Sequence, residues 1–464
     1  MGERAKDSTL GVLVMAAGKG TRMKSELPKV LHPLLGKPLL GCLLKTVLRC
    51  GPSAAAVLVG YKEEQVRGYL QSSFPSVEIL RQGEQLGTGH AVQVSRGWWE
   101  RFGHVLVLNG DLPLLAHQTL LSFVDSHLEA DASCSLLSFA ASNPDGYGRI
   151  IRSPDAVSIV EHKDAAPEQR RIREVNAGCY LFETKALSRV IGRLKNDNAQ
   201  GEYYLPDAVG LMNGEGLKTQ ALIAEERELL GVNTQAELAA AAVSVRDALV
   251  LAWMERGVRV TDPSAVWIGP DAEFGPDVSL MPGAQVWGNS SVGEGSVIGP
   301  YCVLQNARLG RRVRLAAHVI VEDSELCDDA RAGPFAYIRE GSLLREGAFA
   351  GKFVELKKTS VGKGSKVPHL SYLGDAALGE GVNIGAGSVT CNYDGRNKFP
   401  TKIGDRCFVG SDTMMVAPVT LGDDSMTAAG STITADVPAG ALGVGRTRQR
   451  NIENWALRKK ALTQ

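Results

Sequence analysis

Ahead of residue 233, apolar residues fall in short unbroken runs. Val12 to Ala17, Ala55 to Val59 and Val105 to Leu108 are apolar throughout, and stretches of helical character such as Pro38 to Cys50 and Leu120 to Leu128 separate them. Strands apolar on both faces, alternating with helices, predict a parallel sheet covered on both sides. Asn233 to Gly257 is rich in Ala, Leu and Glu. It predicts one long connecting helix, with Asn233 or Thr234 as its cap and Gly257 as its end.

Beyond residue 260 the helical patterns stop and a beat of six begins. Ile403, Val409, Met415, Leu421, Thr427 and Ile433 stand six apart without a miss, and shorter stretches such as Val292 to Ile298, Leu309 to Leu315, Val361 to Val367 and Leu378 to Ile384 keep the step. An aliphatic residue followed by a small one at this period predicts a left-handed parallel β-helix of hexapeptide repeats, the small residue easing the turn at each corner. Thr390 to Ile403 spans 13 positions, which is not a multiple of six, so a loop must leave the coil there. The expected organisation is an α/β Rossmann-like domain over 1–232, a helical linker over 233–258, and a β-helix with a C-terminal tail over 259–464.

Composition adds limits. The chain has 464 residues, 51 basic and 51 acidic side chains, so no overall field draws it to nucleic acid or an anionic membrane. Its 52 glycines are an excess, about 11% against a usual ~7%. The eight cysteines form no C-x-x-C pair and no zinc spacing, which predicts free thiols. The opening MGERAKDSTL is polar, Lys6 stands where a myristoylation signal wants Ser or Thr, and no run reaches the ~18 apolar residues of a membrane span. A cytoplasmic protein is expected.

Gly11 to Met23 is an apolar strand opening into a Gly-rich turn that carries Lys19 and Arg22. Glycines let backbone N–H groups approach phosphate oxygens, and cations neutralise phosphoryl charge; the Walker spacing is absent. Leu27-Pro28-Lys29 follows, then Gln82 and Gln85-Leu86-Gly87-Thr88-Gly89-His90, and the strand from Val105 ends in Asn109-Gly110-Asp111. A carboxylate at a strand's C-terminal edge stands where open α/β sheets bind ligands, and it suits Mg²⁺ shared with substrate phosphates.

The run M-A-A-G-K-G-T-R-M-x-S-x-L-P-K resembles the signature of sugar-1-phosphate nucleotidyltransferases. Gly146-Tyr147-Gly148-Arg149, Glu161-His162-Lys163-Asp164, Asn176-Ala177-Gly178 and Gly231-Val232-Asn233 complete the likeness. The resemblance implies substrate contacts from Met15, Ala16, Ala17, Gly18, Lys29, Gln82, Gly87, Thr88, Asn109 and Gly110. It implies sugar contacts from Gly148, Glu161 and Asn176, and Mg²⁺ on Asp111 and Asn233. The phosphate of a sugar 1-phosphate would attack the α-phosphorus of UTP, with Lys29 and Arg22 as the catalytic, charge-neutralising groups.

The β-helix carries its own reactive side chains. G-K-F-V-E-L-K-K around Glu355, H-L-S-Y-L-G-D from His369, and N-I-G-A-G-S-V-T-C-N-Y-D-G from Asn383 resemble the acetyltransferase half of a bacterial family of two-activity enzymes. Its members acetylate glucosamine 1-phosphate from acetyl-CoA and uridylylate the resulting N-acetylglucosamine 1-phosphate. An ammonium cannot attack a thioester, so a base of near-neutral pKa is needed, and His369 suits it, with Glu355 orienting the imidazole. By the resemblance Arg339, Lys357, Tyr372, Asn383 and Lys398 hold the sugar phosphate, Lys398 from its own chain or a neighbour's. Ala386, Asn392, Tyr393, Ser411, Ala429 and Arg446 face acetyl-CoA, and the basic tail from Arg446 to Lys460 is either solvated or on the 3′-phosphate of CoA.

The family pattern further implies a homotrimer and a product, UDP-N-acetylglucosamine, used for peptidoglycan and lipopolysaccharide. Two positions depart from it: Asn109 replaces a usual Tyr, and Pro368 replaces a usual Gly before the His. The competing readings are a single-activity nucleotidyltransferase whose β-helix serves only assembly, and a scaffold in which both sites are relics.

Overall fold

The computed structural model describes residues 9–153 and 156–461. The N-terminal segment 1–8, with Lys6, lies outside the described residues, as does the Lys460 side chain. The chain divides into two compact units, residues 1–245 and 246–464.

The first unit is built on a nine-stranded sheet whose central path runs Thr219–Ile223, Cys134–Ala140, Glu174–Glu183, His104–Asn109, Leu10–Ala16, Ala54–Val59, Glu78–Arg81. Successive side chains of Leu10–Ala16 point to opposite faces: Val12 and Val14 join one core cluster, with Leu40, Leu43 and Val47 of the helix Leu39–Arg49. Leu13 joins the other, with Ala208 and Met212 of the helix Pro206–Gly214. The sheet is not wholly parallel. Glu174–Glu183 runs antiparallel to both neighbours, because the segment before it makes a hairpin, Arg149–Arg152 with Val157–Val160, where a parallel return needs a crossover.

The chain winds from Leu10–Ala16 to Ala54–Val59 on one side and later sets His104–Asn109 on the other, all parallel. The strand order therefore reverses beside Ala16, and the two turns Ala17-Gly18 and Gly110-Asp111 leave the sheet together at this switch point.

The helix Gln235–Glu255 begins in a capping box. Thr234 Oγ1 accepts from the Glu237 N–H at 3.1 Å, while Glu237 accepts from the N–H groups of Asn233 and Thr234. Thr234 is thus the cap, and the Asn233 side chain is free for other partners. The helix ends at Gly257, where Gly257 and Val258 donate to the carbonyls of Met254 and Trp253 in a Schellman motif.

The second unit is a left-handed β-helix of parallel strands, most of two or three residues and two of nine, Phe349–Lys357 and Lys366–Gly374. Each turn adds 17 or 18 residues: Ser279 pairs with Val297, and Val297 with Arg314. At Asn383 the partner is Phe408, 25 residues on, because the expected loop leaves between Val389–Cys391 and Thr401–Ile403. All six phased residues from Ile403 to Ile433 are buried. Among the described residues only the 3₁₀ turn Pro263–Ala265 and the helix Trp455–Ala461 add helix after residue 260. No helix among them is long and apolar enough to cross a membrane.

Where a glycine follows the aliphatic residue it does not ease a corner, as the repeat pattern suggested. A Cβ on Gly362 would lie 1.9 Å from the Gly379 carbonyl oxygen, and one on Gly410 2.5 Å from that of Thr427. These glycines are required by the spacing between coils. The left-handed corner falls two residues later, where Asp412, Arg406 and Asp424 take it as readily as Gly364.

Candidate active sites

At the switch point of the first unit lies a cavity of about 520 Å³. Met15, Ala16, Ala17, Gly18, Lys29, Gln82, Gly87, Thr88, Asn109, Gly110, Asp111 and Asn233 all line it. Gly110 is required there, since a Cβ would meet the Met15 carbonyl oxygen at 2.9 Å. The Gly87-Thr88-Gly89 turn is closed by Tyr203, which donates to the Leu86 carbonyl and accepts from the Gly89 N–H.

The charged groups converge at one end of the cavity. Lys29 Nζ lies 2.5 Å from Asp111 Oδ2 and 3.0 Å from Asn233 Oδ1, and Arg22 donates to the same Asn233 oxygen at 2.9 Å. A carboxylate oxygen and an amide oxygen are thereby aimed at one cation. Two hard oxygens suit Mg²⁺, which takes its remaining ligands from phosphates and water. Among the described residues no group of three or more His, Cys, Asp or Glu forms a complete protein cage.

Gly148, Glu161 and Asn176 come together outside the wall of that cavity. Asn176 donates its N–H to the Gly148 carbonyl, and a Cβ on Gly148 would meet Glu161 Oε1 at 3.2 Å. Burial raises the Glu161 carboxyl above its ordinary pKa, helped by Asp164. Asn109 reaches this group, since a Cβ on Gly178 would lie 2.0 Å from Asn109 Nδ2; a departure from the family pattern at 109 therefore has room only because 178 is Gly. Glu202 also lines the cavity. Sequence reasoning missed it because it sits on a loop without periodicity, although the run Gly201-Glu-Tyr-Tyr was a visible signal.

On the β-helix, Arg339, Glu355, Lys357 and Tyr372 fall on adjacent coils. Arg339 donates to Glu355 at 2.8 Å and stands 3.5 Å from Glu340, which in turn is 3.7 Å from Lys357. The atom facing Glu340 is Arg339 Nε, which is buried and makes no hydrogen bond but stands at ion-pair distance from that carboxylate. Lys398, carried in by the loop, faces Lys357 of the same chain, and that neighbouring amine holds the Lys398 pKa below its ordinary value. Glu340 was not anticipated by the motifs.

His369 is exposed on the strand Lys366–Gly374, and its carbonyl accepts from buried Ser371 at 2.7 Å. Pro368 is accommodated because residue 351 on the coil below is glycine, whose Cβ would strike the Pro368 carbonyl oxygen at 1.9 Å. Within the chain Lys352 lies opposite His369, while Glu355 lies opposite Tyr372 and accepts from Arg339. The Glu355 carboxylate is thus engaged by the guanidinium.

The residues expected at acetyl-CoA form a column. The carbonyls of Leu370, Ala386 and Ser411 accept in turn from the N–H groups of Gly387, Asp412 and Gly430, so residues 369, 386, 411 and 429 follow one corner from coil to coil. The Arg446 side chain reaches Gly430. Asn392 donates to Asp375 at 2.6 Å, while Tyr393 is exposed on the loop. Asn383 opens the short strand Asn383–Ile384 beside Lys366.

Residues 12–176 match the family model of the MobA-like NTP transferase domain, and residues 400–435 match that of the hexapeptide repeat of succinyl-transferase. Three curated proteins, each called "Bifunctional protein GlmU", are similar over almost the whole chain. The one from Streptomyces avermitilis is 43% identical, covering 97% of this chain and 94% of its own. Those from Heliobacterium modesticaldum and Thermus thermophilus are each 45% identical, covering 96% of this chain and 98% of their own.

Proposed function

The chain belongs to the family of bifunctional GlmU proteins, and from that premise we propose the two reactions and the residues that perform them. The second unit transfers acetyl from acetyl-CoA to glucosamine 1-phosphate. The first then transfers uridylyl from UTP to N-acetylglucosamine 1-phosphate, giving UDP-N-acetylglucosamine and pyrophosphate. The observation that carries this reading is that each unit holds its own cluster of cations suited to phosphate, one around Lys29 and one around Arg339.

In uridylyl transfer a sugar-phosphate oxygen bonds to the α-phosphorus as the bond to pyrophosphate breaks. The attacking oxygen is already anionic, so the protein positions and neutralises and supplies no base. Lys29 and Arg22 face the phosphates; Gly18, Gly87 and Gly110 admit the nucleotide; Gly148, Glu161 and Asn176 receive the sugar. Asp111 and Asn233 would hold Mg²⁺, which when bound offsets charge on the phosphates.

In acetyl transfer, His369 takes a proton from the sugar ammonium, the freed amine bonds to the acetyl carbon, and the carbon–sulfur bond breaks to release CoA thiol. Arg339, Lys357 and Lys398 hold the phosphate. The corner column Ala386, Ser411, Ala429 and Arg446 supports acetyl-CoA lying beside His369. We infer a homotrimer with this corner at the contact, supported by Tyr301, Phe335, Phe353 and Leu370, all exposed on the same corner. Eight cysteines outside any disulfide support a cytoplasmic setting.

The test is to assay CoA thiol release and pyrophosphate release on the intact chain. Asp111→Ala is expected to abolish only pyrophosphate release and His369→Ala only thiol release. Loss of both activities from either variant would overturn two independent sites.

A further inference from the structure

The strand Glu174–Glu183 breaks its register where it enters the first site. Asn176 pairs with Ser138 and Tyr180 with Leu136, so four steps on one strand match two on its neighbour. The surplus forms a bulge at Gly178, whose φ is 71°. In a regular strand residues four apart are separated by about 13 Å. The bulge instead folds them together, and Asn176 Nδ2 donates to the Tyr180 hydroxyl at 2.6 Å. The other end of the same amide is also held, since Asn176 Oδ1 accepts from the Gly178 N–H at 3.0 Å.

These two bonds fix which way the amide faces. The Gly178 N–H requires the oxygen on its side, and the phenol takes a hydrogen of the nitrogen on the other. One N–H and one lone pair remain unspent. Tyr180 itself is 2% exposed and stacks on Phe182 with ring centroids 5.7 Å apart. Packing there calls only for a ring; a hydroxyl in such a core needs a polar partner, and Asn176 provides it. Burial, with the nearby Glu161 carboxylate, holds the phenol protonated.

We propose that Tyr180 is a positioning residue for uridylyl transfer: its hydroxyl locks the Asn176 amide in the orientation that meets the sugar phosphate substrate. This rests on the reading that Asn176 contacts the sugar. Tyr180 touches no substrate and acts through Asn176 alone.

Tyr180→Phe keeps the ring and removes only the hydroxyl. With UTP and Mg²⁺, pyrophosphate release is measured against N-acetylglucosamine 1-phosphate for wild type, Tyr180→Phe, Asn176→Ala and the double variant. Loss of one orienting hydrogen bond is expected to raise KM for the sugar phosphate about three- to tenfold. KM for UTP, kcat and acetyl transfer should stay within about twofold, and the double variant should be no worse than Asn176→Ala. If Asn176→Ala raises the sugar KM and Tyr180→Phe does not, the positioning role is wrong and the sugar site stands. If neither raises it, the sugar site itself is misread and the proposal falls with it. Equal rises in both KM values would mean general loosening and would also overturn it.

Discussion

The ammonium of Lys29 lies 2.5 Å from Oδ2 of Asp111. It thus holds the carboxylate assigned to the metal, and it bonds Asn233, the second assigned ligand, at 3.0 Å. Two cations cannot share that position, so metal and nucleotide must draw Lys29 toward the phosphates together. Lys29→Ala is expected to bind Mn²⁺ more tightly than wild type when no nucleotide is present, read by electron paramagnetic resonance. The same variant should lose about a hundredfold or more in pyrophosphate release. Unchanged Mn²⁺ affinity would show that the ammonium does not compete for the site.

Lys357 and Lys398 make the acetyl site sensitive to pH. The neighbouring Lys357 amine holds the Lys398 pKa below the ordinary lysine value. A bound phosphate brings negative charge to both and raises the Lys398 pKa again, so binding at a pH near that lowered pKa takes up protons from solution. Affinity should therefore be greatest between the second ionisation of the phosphate, about 6, and the lowered pKa of Lys398, and should fall as pH rises through the latter. N-acetylglucosamine 1-phosphate has no amine of its own to titrate. Calorimetry of its binding in two buffers of different ionisation heat, repeated as pH rises toward the pKa of Lys398, should show growing proton uptake by wild type and none at this site in Lys398→Met.

The coil glycines give a paired test of crowding against backbone strain. At Gly362 a Cβ would overlap the Gly379 carbonyl, whereas at Gly364, with φ 66°, nothing lies within 4 Å. Gly364→Ala carries only the left-handed penalty of about 1–2 kcal/mol, and overpacking against fixed backbone at Gly362 should cost about 3 kcal/mol or more. The temperature at which acetyl transfer is lost should fall further in Gly362→Ala than in Gly364→Ala, while uridylyl transfer changes little in either. Equal losses would refute the crowding argument.

Those glycines also mark where the sequence was legible and where it was not. The period of six set the coil and its interior, because Ile403 to Ile433 had to be buried together. It could not say why Gly follows Ile403, Val409 and Leu421, since the close neighbour belongs to the next coil. The same limit applies to Glu355. The family likeness set it beside the His369 imidazole, but the register across coils puts it opposite Tyr372 with Arg339 as its partner. The cavity at Ala17 and Asp111 was legible because strand-end motifs define the switch point. Glu202 and Tyr180 were not, because a loop and a bulge bring them in without periodicity.

Phe353 tests the assembly. Tyr301, His318, Phe335 and Phe353 stack along one corner with ring centroids 5.0–5.3 Å apart, and Phe353 is 58% exposed. This row continues onto Leu370, next to His369. Four left-handed corner residues with large apolar side chains turned to solvent are costly unless another surface covers them. A charge in the row should disrupt that cover without disturbing the coil, since the Phe353 ring is not in the interior. Phe353→Asp is expected to shift the protein from trimer to smaller species in sedimentation velocity and to reduce acetyl transfer at least about tenfold. Pyrophosphate release should persist, because its groups all lie within the first unit. A variant that stays trimeric with full acetyl transfer would remove this corner from the interface.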